Sequence, residues 1–424
     1  MNNVRKIERY SEMKDSGTAW LKYIPFDWKV SQIGSLYIPR NERVSDKEYP
    51  PLSVTMKGIV PQLASAAKTD DGDNRKLVRV GDFAINSRSD RRGSCGVSSY
   101  DGSVSLINTV LTPRKSMHSG YYNWLFHTDA FADEFYKWGH GIVDDLWTTR
   151  WQEMKRIKVP VPRYAVQQAI ATFLDTECRK LDEVIAELKI SVDDYKQWRT
   201  AIITKAVTKG IDPNVEMADT DIFWIGAIPK HWRLEKLKRY TSMLTPMRDK
   251  PEHLDGDIPW IRIEDYDGKY ISSSKEGLGV SQETVTAMNL KVYPVGTILC
   301  TSSCDLGKCA IVARELVSNQ RFIGIIPNDN IYPDYLYYLM LSNAKRLNYL
   351  STGSIQANLS RVAFEQLLVQ VPPFDEQVEI ATFLDEKISL VDALINEKAN
   401  LISDLESYKK SLIYEVVTGK RKVV

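Results

Sequence analysis

Cysteine is scarce: five residues in a chain of 424, too few for the disulfide framework of a small secreted fold. Cys300, Cys304 and Cys309 lie close together, but no Cys-x-x-Cys pair accompanies them and the nearest histidines, His253 and His231, are remote in sequence. Small buried thiols are therefore expected, and no metal site. An excess of one charge is also missing. Lys and Arg total 56 against 55 Asp and Glu, whereas a purely electrostatic polyanion binder would be strongly basic; any nucleic-acid affinity has to come from local patches. No apolar run approaches the ~18–20 residues of a membrane span. Residues 1–6 lack the apolar core of a secretory signal, so a cytoplasmic location is expected.

Catalytic motifs are missing as well. There is no GxxxxGK[ST] phosphate loop, no GxGxxG and no HExxH helix. Val371-Pro372-Pro373-Phe374 has the outline of an amino-methyltransferase tetrapeptide but lacks its Asn or Asp acceptor, and reads as a linker. Asp265, Asp267 and Lys269 could imitate a nuclease cluster, yet around Gly268 they read as a solvated turn. The chain is expected to hold no catalytic residue and no cofactor of its own.

What is present is a duplication. Ile170-Ala171-Thr172-Phe173-Leu174-Asp175 recurs letter for letter at Ile380–Asp385, with Gln167 matching Gln377 and Val207-Thr208 matching Val417-Thr418. Upstream, Trp20, Ile24-Pro25 and Trp28-Lys29 correspond to Trp224, Ile228-Pro229 and Trp232-Arg233, and Val80-Gly81-Asp82 to Val295-Gly296-Thr297. The period is far too long for a solenoid, so one globular-plus-helix unit is repeated in tandem.

Each repeat ends in a helical pattern. Steps of four and three link Leu174, Cys178, Leu181, Ile185, Leu188, Val192, Tyr195, Arg199, Ile202 and Ala206; the second repeat gives Leu384, Ile388, Val391, Ile395, Lys398, Ile402, Leu405, Lys409, Leu412 and Val416. A seam of about five heptads predicts a coiled coil. Its mid-seam residues Leu188 and Ile395 fall near the middle of an antiparallel pair, in which Lys409 would approach Glu177. Prolines 160, 162, 372 and 373 precede the helices, and Gly210 and Gly419 sit where left-handed C-terminal caps fall. From Gln167 to Lys209 such a helix would run ~64 Å. The globular parts mix β-rich runs (Gly58–Val60, Thr297–Leu299, Ala310–Ala313) with helical stretches at Tyr121–Trp138 and Tyr332–Leu350. The organisation expected is an N-terminal arm (1–15), a globular α+β domain (16–162), a long helix (163–210), a second α+β domain (211–372) and a second long helix with a basic tail (373–424).

The globular segments carry side chains suited to DNA. In the first, Asn86, Ser87, Arg88, Arg91 and Arg92 follow an apolar run; at the matched place in the second stand Ser302, Ser303 and Lys308, with Gly93 and Gly307 as turn points. Arginine pairs in bidentate fashion with guanine, asparagine with adenine, and serine serves phosphate or base. Lys236, Lys238 and Arg239 form a further local cluster suited to phosphate. Ordinary solvated loops are the alternative use of all these residues.

Two globular segments alternating with two similar helices, each with a Pro-x-x-x-x-Gln segment leading into Ile-Ala-x-Phe-Leu-Asp (Pro162–Asp175 and Pro372–Asp385), resemble the specificity subunits of type I restriction–modification systems. The tryptophan–Ile-Pro–Trp openings are similar to that family's domain starts. At Arg163-Tyr164-Ala165-Val166 the first helix lacks the Pro and Glu found at 373 and 376. The resemblance implies an α+β fold with a pseudo-two-fold tandem repeat, two target-recognition domains separated by antiparallel helices, and a cytoplasmic, prokaryotic, non-catalytic subunit. It implies that each domain reads one half of a bipartite, asymmetric double-stranded DNA site while the helices set the spacing. Leu174, Leu181, Leu188, Tyr195, Leu384, Val391, Ile395 and Leu405 would serve helix pairing and partner docking. The partners implied are two methyltransferase subunits, with S-adenosylmethionine, and two restriction/translocase subunits, with ATP and Mg. A protein-binding structural adaptor without DNA specificity, or an enzyme with a cryptic site, are the competing readings.

Overall fold

The computed structural model describes residues 9–62, 72–114, 117–141, 147–246, 250–303, 307–350 and 359–423. Two compact units emerge, Met1–Lys189 with Asn400–Val424, and Ile190–Ala399. The long helices, Tyr164–Lys209 and Phe374–Val417, are each divided between them.

In the first unit the central sheet is antiparallel, in the order Cys95–Val97, Phe83–Asn86, Asn108–Pro113, Tyr37–Pro39. Phe83, Ala84 and Ile85 are all buried, which is why this strand shows an unbroken apolar run and no alternation. Gly81, at φ 87°, makes the turn before it, and Asp82 locks that turn by accepting the Arg79 amide (2.9 Å) and the Arg40 guanidinium (2.6 Å). One face packs on the helices Ser119–Phe126 and Asp129–Lys137 through Tyr37, Phe83, Tyr122, Phe126 and Phe131. The sequence reads as one helix here. The structure breaks it at Thr128, whose hydroxyl caps the second helix by accepting the Phe131 amide. Likewise Tyr332–Leu350 is two helices, Pro333–Ser342 and Ala344–Leu350.

The second unit repeats the plan with additions. Its sheet runs Thr241–Leu244, Phe322–Pro327, Ile298–Thr301, Cys309–Val312, and gains a parallel fifth strand, Tyr270–Ile271. Gly296 makes the matched turn at φ 86°. Cys300 and Cys309 are cross-strand partners with sulfurs 2.8 Å apart; Cys304 lies outside the described residues. No group of three or more His, Cys, Asp or Glu side chains suited to a metal occurs among the described residues. Asp265 is buried, bonded to the Arg262 and Lys275 amides. Lys269 is clasped by Asp334 (2.5 Å) and Asp385 (2.6 Å). Neither residue sits in the solvated turn that the sequence suggested.

The repeated letters have repeated jobs. The amide of Gln167 bridges Pro162 and the His118 amide (2.8 and 2.9 Å), fastening the start of the long helix to the start of Ser119–Phe126. Gln377 does the same between Pro372 and Tyr332 (3.0 and 2.7 Å). Asp175 accepts from the Trp124 indole (2.8 Å), and Asp385 from the Tyr338 hydroxyl (2.6 Å). Gly210 and Gly419 end the helices at φ 73° and 72°, a left-handed conformation that costs glycine least. Small hairpins, Met13–Asp15 with Tyr23–Pro25 and Met217–Asp219 with Ala227–Pro229, open both units. The repeat thus begins at Met13, inside the segment read from sequence as an N-terminal arm. The C-terminal tail is also structural: Lys420 bonds the Leu21 carbonyl at 3.0 Å.

Every seam residue on both helices is buried or half-buried. In the first unit Lys409 reaches both oxygens of Asp182 (2.6 Å) and Lys189 reaches Glu406 (2.9 Å); in the second, Arg199 makes a bidentate pair with Asp392 (2.8 and 3.3 Å). Rising numbers on one helix meet falling numbers on the other, so within each unit the segments run antiparallel. Lys409 therefore meets Asp182 and not Glu177, which pairs with Lys180 on its own helix.

Candidate nucleic-acid interface

The loop joining Phe83–Asn86 to Cys95–Val97 is shaped by a single turn of 3-10 helix at Ser89–Arg91 and by Gly93 at φ 73°. Its residues divide into framework and surface. Ser87 is buried, and its hydroxyl bonds Thr109 at 3.1 Å; it holds the loop and is withdrawn from solvent. Asn86 is half-buried and uses its side-chain oxygen on the Arg88 amide (3.0 Å). The Tyr136 hydroxyl donates toward the Asn86 and Arg91 carbonyls (3.4 and 3.3 Å), and burial pushes that phenol above its ordinary pKa. Arg88, Arg91 and Arg92 are exposed. Arg92 is tied to Asp133, and Arg91 lies 3.6 Å from Asp90, which leaves Arg88 as the most available cation of the three.

This loop forms one wall of a cleft of about 900 Å³, faced by Thr55, Met56 and Gln62 of the hairpin region, with Asn108 and His127 also lining it. Asn108 is the cross-strand partner of Asn86. Its amide nitrogen bonds Ser105, but its side-chain oxygen is buried and has no partner among the described residues. An orphan acceptor at a cleft wall is costly unless a ligand donor reaches it. Sequence reasoning missed this residue because its neighbours, Leu106-Ile107 and Thr109-Val110, read only as core strand.

In the second unit the matched loop is held by the backbone. The Ser302 amide donates to Arg321 (2.8 Å) and its carbonyl accepts from Leu359 (2.9 Å). Ser303 is half-buried and Lys308 exposed. Gly307, at φ 92°, passes so close to Ala344 that a Cβ would collide with it. Residues 304–306 lie outside the described residues. Lys236, Lys238 and Arg239 are exposed, with Arg239 paired to Glu235 at 3.0 Å.

The helices present two unlike flanks. Asp182, Lys189, Asp392 and Glu406 each follow a seam residue, and residues so placed share one flank of an antiparallel pair; here it is charged and paired. Residues that precede a seam residue share the other flank. There Val184, Leu401 and Tyr408 stay exposed in the first unit, and Trp198 and Leu394 in the second. The sequence reading assigned partner docking to the seam itself. Leu174 and Leu384 are fully buried in their units' cores, Val391 is buried, and Leu181, Leu188, Tyr195, Ile395 and Leu405 are half-buried between the helices. Val184, Leu401, Tyr408, Trp198 and Leu394 remain as exposed apolar residues beside the seam.

Residues 244–403 match the family model of the type I restriction modification DNA specificity domain. A Methanocaldococcus jannaschii type I restriction enzyme specificity subunit, MjaIX, is 35% identical over 183 residues, 42% of this chain and 42% of that protein. The chain thus matches under half the length of that relative. A putative M. jannaschii specificity subunit, MjaX, aligns at 21% identity over 94% of this chain and 95% of its own. The Escherichia coli EcoR124I/EcoR124II specificity subunit aligns at 23% over 68% and 67%. In fold, a chain solved in a study of complex assembly and conformational transition of the type I system superposes with a TM-score of 0.72 at 13% identity, covering 93% of this chain and 98% of its own. The HsdS subunit from Thermoanaerobacter tengcongensis gives 0.51 at 15%, covering 94% and 98%. Residues 244–403 are thus similar to the type I restriction modification DNA specificity domain, and the duplicated α+β fold of the chain is similar to that of the solved HsdS subunit.

Proposed function

We propose that this chain reads DNA sequence for a type I restriction–modification complex, one half of a bipartite site per unit, and leaves the chemistry to its partners. The observation that carries the reading is the contrast within the duplication. The helix devices at Gln167/Gln377 and Asp175/Asp385 repeat, whereas the loops on matched hairpins differ: Asn86, Arg88, Arg91 and Arg92 in one, Ser302, Ser303 and Lys308 in the other. A scaffold repeated with different reading heads suits a site whose halves have different sequences. Methyltransferase subunits, carrying S-adenosylmethionine, dock on the apolar flank, one per unit, at Val184, Leu401 and Tyr408 and at Trp198 and Leu394. Restriction/translocase subunits, with ATP and Mg, join this assembly. The length of the shared helices sets the gap between the half-sites.

The test is co-expression of the chain with its cognate methyltransferase, followed by methylation-sensitive sequencing of the host DNA. Adenine methylation at a single bipartite motif, absent when either protein is expressed alone, is the expected result. Methylation by the partner-free chain, or by the pair without sequence preference, would refute the reading.

A further inference from the structure

The sequence drew notice to Lys236, Lys238 and Arg239 but showed no counterpart in the first unit, where the matched positions are Gln32, Gly34 and Ser35. The structure supplies one. Lys29–Gln32 pairs antiparallel with Lys158–Val161, so Gln32 lies opposite Lys158; the Gly34 amide bonds the Lys155 carbonyl at 3.0 Å. In the second unit Arg233–Lys236 pairs with Leu368–Val371, so Lys236 lies opposite Leu368. The same cross-strand position therefore carries one cation in each unit, on opposite strands. Nearby, the first unit places Lys155, Arg156 and Lys137 around a cleft of about 800 Å³ lined also by Gln32 and Gly34. The second unit places Lys238 and Arg239 on the facing segment. The residues matching Lys155 and Arg156 there are Glu365 and Gln366. Arg156, Lys158, Lys236 and Lys238 are exposed, Lys155 is half-exposed, and none of the five makes an ion pair with a described carboxylate. Lys137 meets Glu134 only at 3.9 Å.

We infer that this strand pair is a second DNA contact in each unit, a phosphate-only grip separate from the base-reading loop. The inference rests on the proposed DNA-reading function. What the duplication keeps at this place is positive charge; which strand bears it, and on which side chain, is not kept. A protein partner docked at both places would constrain shape and side-chain identity. A phosphate backbone is read through charge alone, by flexible Lys and Arg chains that release its condensed counterions. In the first unit, Lys137 lies one helical turn along Asp129–Lys137 from Asp133, the residue that holds Arg92 of the reading loop. One short helix thus links the two sets of cations.

The experiment uses the full chain with its methyltransferase partners and a duplex carrying the methylated motif, plus a scrambled duplex, across a salt series. Lys155→Gln/Arg156→Gln/Lys158→Gln should weaken both duplexes by similar factors, roughly tenfold or more at 0.1 M salt, and flatten the log K against log [salt] slope by about 0.9 per lost contact. In the second unit Lys236→Gln should flatten the slope by about one contact, and adding Leu368→Lys, which moves the charge to the strand used by the first unit, should restore it. Thermal melting confirms that each variant is folded. Unchanged slope and affinity in folded variants, or no rescue by Leu368→Lys, overturns the grip while leaving the base-reading function intact. Loss of methyltransferase binding with an unchanged DNA slope also overturns it, and marks the patch as a protein interface. Failure of the wild-type complex to prefer its motif would sink the underlying function instead.

Discussion

The hydroxyl of Tyr121 donates to the carbonyl of Val417 at 2.8 Å, joining the first globular segment to the end of the second long helix across 296 residues of chain. Tyr335, at the matched place, reaches the carbonyl of Val207 at 3.4 Å and that of Gln370 at 2.9 Å. Each helix end leaves backbone carbonyls without intrahelical partners, and a buried tyrosine covers one of them. The surrounding cores agree: Leu412, Val416 and Val417 belong to the first unit's core, and Ile203, Ala206 and Val207 to the second's.

Removing that hydroxyl should cost stability without changing the fold. Tyr121→Phe leaves a buried carbonyl unpaired and is expected to destabilise the first unit by about 1–3 kcal/mol. Tyr335→Phe should cost the second unit a similar amount. Urea denaturation of the full chain measures both, and a midpoint unchanged for both variants would show that the helix ends are not held in this way.

Along the seam, cost should follow depth of burial. Leu384→Ala, at a fully buried site, is expected to cost about 2–5 kcal/mol. Leu188→Ala, at a half-buried site, should cost clearly less. The register is tested by charge exchange: Asp182→Lys should destabilise, and Asp182→Lys with Lys409→Asp should recover most of the loss. The same exchange between Glu177 and Lys409 should recover nothing, as read from thermal midpoints.

The three arginines of the reading loop should separate by role. Arg88→Ala is expected to cost about 1–3 kcal/mol of binding and to relax preference at one base position. Arg92→Ala, whose side chain is held by Asp133, should change preference less. Asn108→Ala removes the orphan acceptor and should also relax preference at a single position. Binding to a panel of single-base variants of the methylated motif reads all three. Equal effects on every sequence would place these residues on phosphate.

Helix length should govern the spacing of the two half-sites. Deleting one heptad from each helix keeps the seam in phase and shortens each helix by ~10 Å, which is up to about three base pairs at 3.4 Å per step. The shortened chain should lose its preference for the original gap while each half-site keeps its sequence. Methylation-sensitive sequencing decides; retention of the parental gap would show that the helices are not the ruler.

The fold was legible wherever physics writes a period into the letters. The seam from Leu174 to Ala206 was readable because one residue in every three or four must be apolar to pair two helices, and Gly210 and Gly419 because few other residues adopt φ near 70° cheaply. Thr128 was not seen as a helix break, since its capping bond to the Phe131 amide is a matter of backbone geometry that the helical pattern on either side does not show. The candidate site was only half legible. Ser87 has the letter of a DNA contact, but its direction, inward to Thr109, depends on a strand far away in sequence. Lys158 and Lys236 could be recognised as matched positions of the two units only after the pairing of Gln32 with Lys158 and of Lys236 with Leu368 was known. The exposed apolar flank escaped for a related reason: a seam announces itself by its period, whereas its exposed neighbours Trp198 and Tyr408 look like noise in that period.

The reciprocal seating of the helix ends has a topological consequence. Cut at the repeat boundary, neither half would be a self-sufficient protein: the first 210 residues would hold a socket awaiting a foreign helix end, and an arm whose own socket had been removed. Two copies of such a half could satisfy each other by exchanging arms. The intact chain is, in this sense, an arm-exchanged homodimer whose two subunits have been sewn into one polypeptide and then allowed to differ. A half-length chain is expected to sediment as a symmetric pair, and its recognition site should become a palindrome.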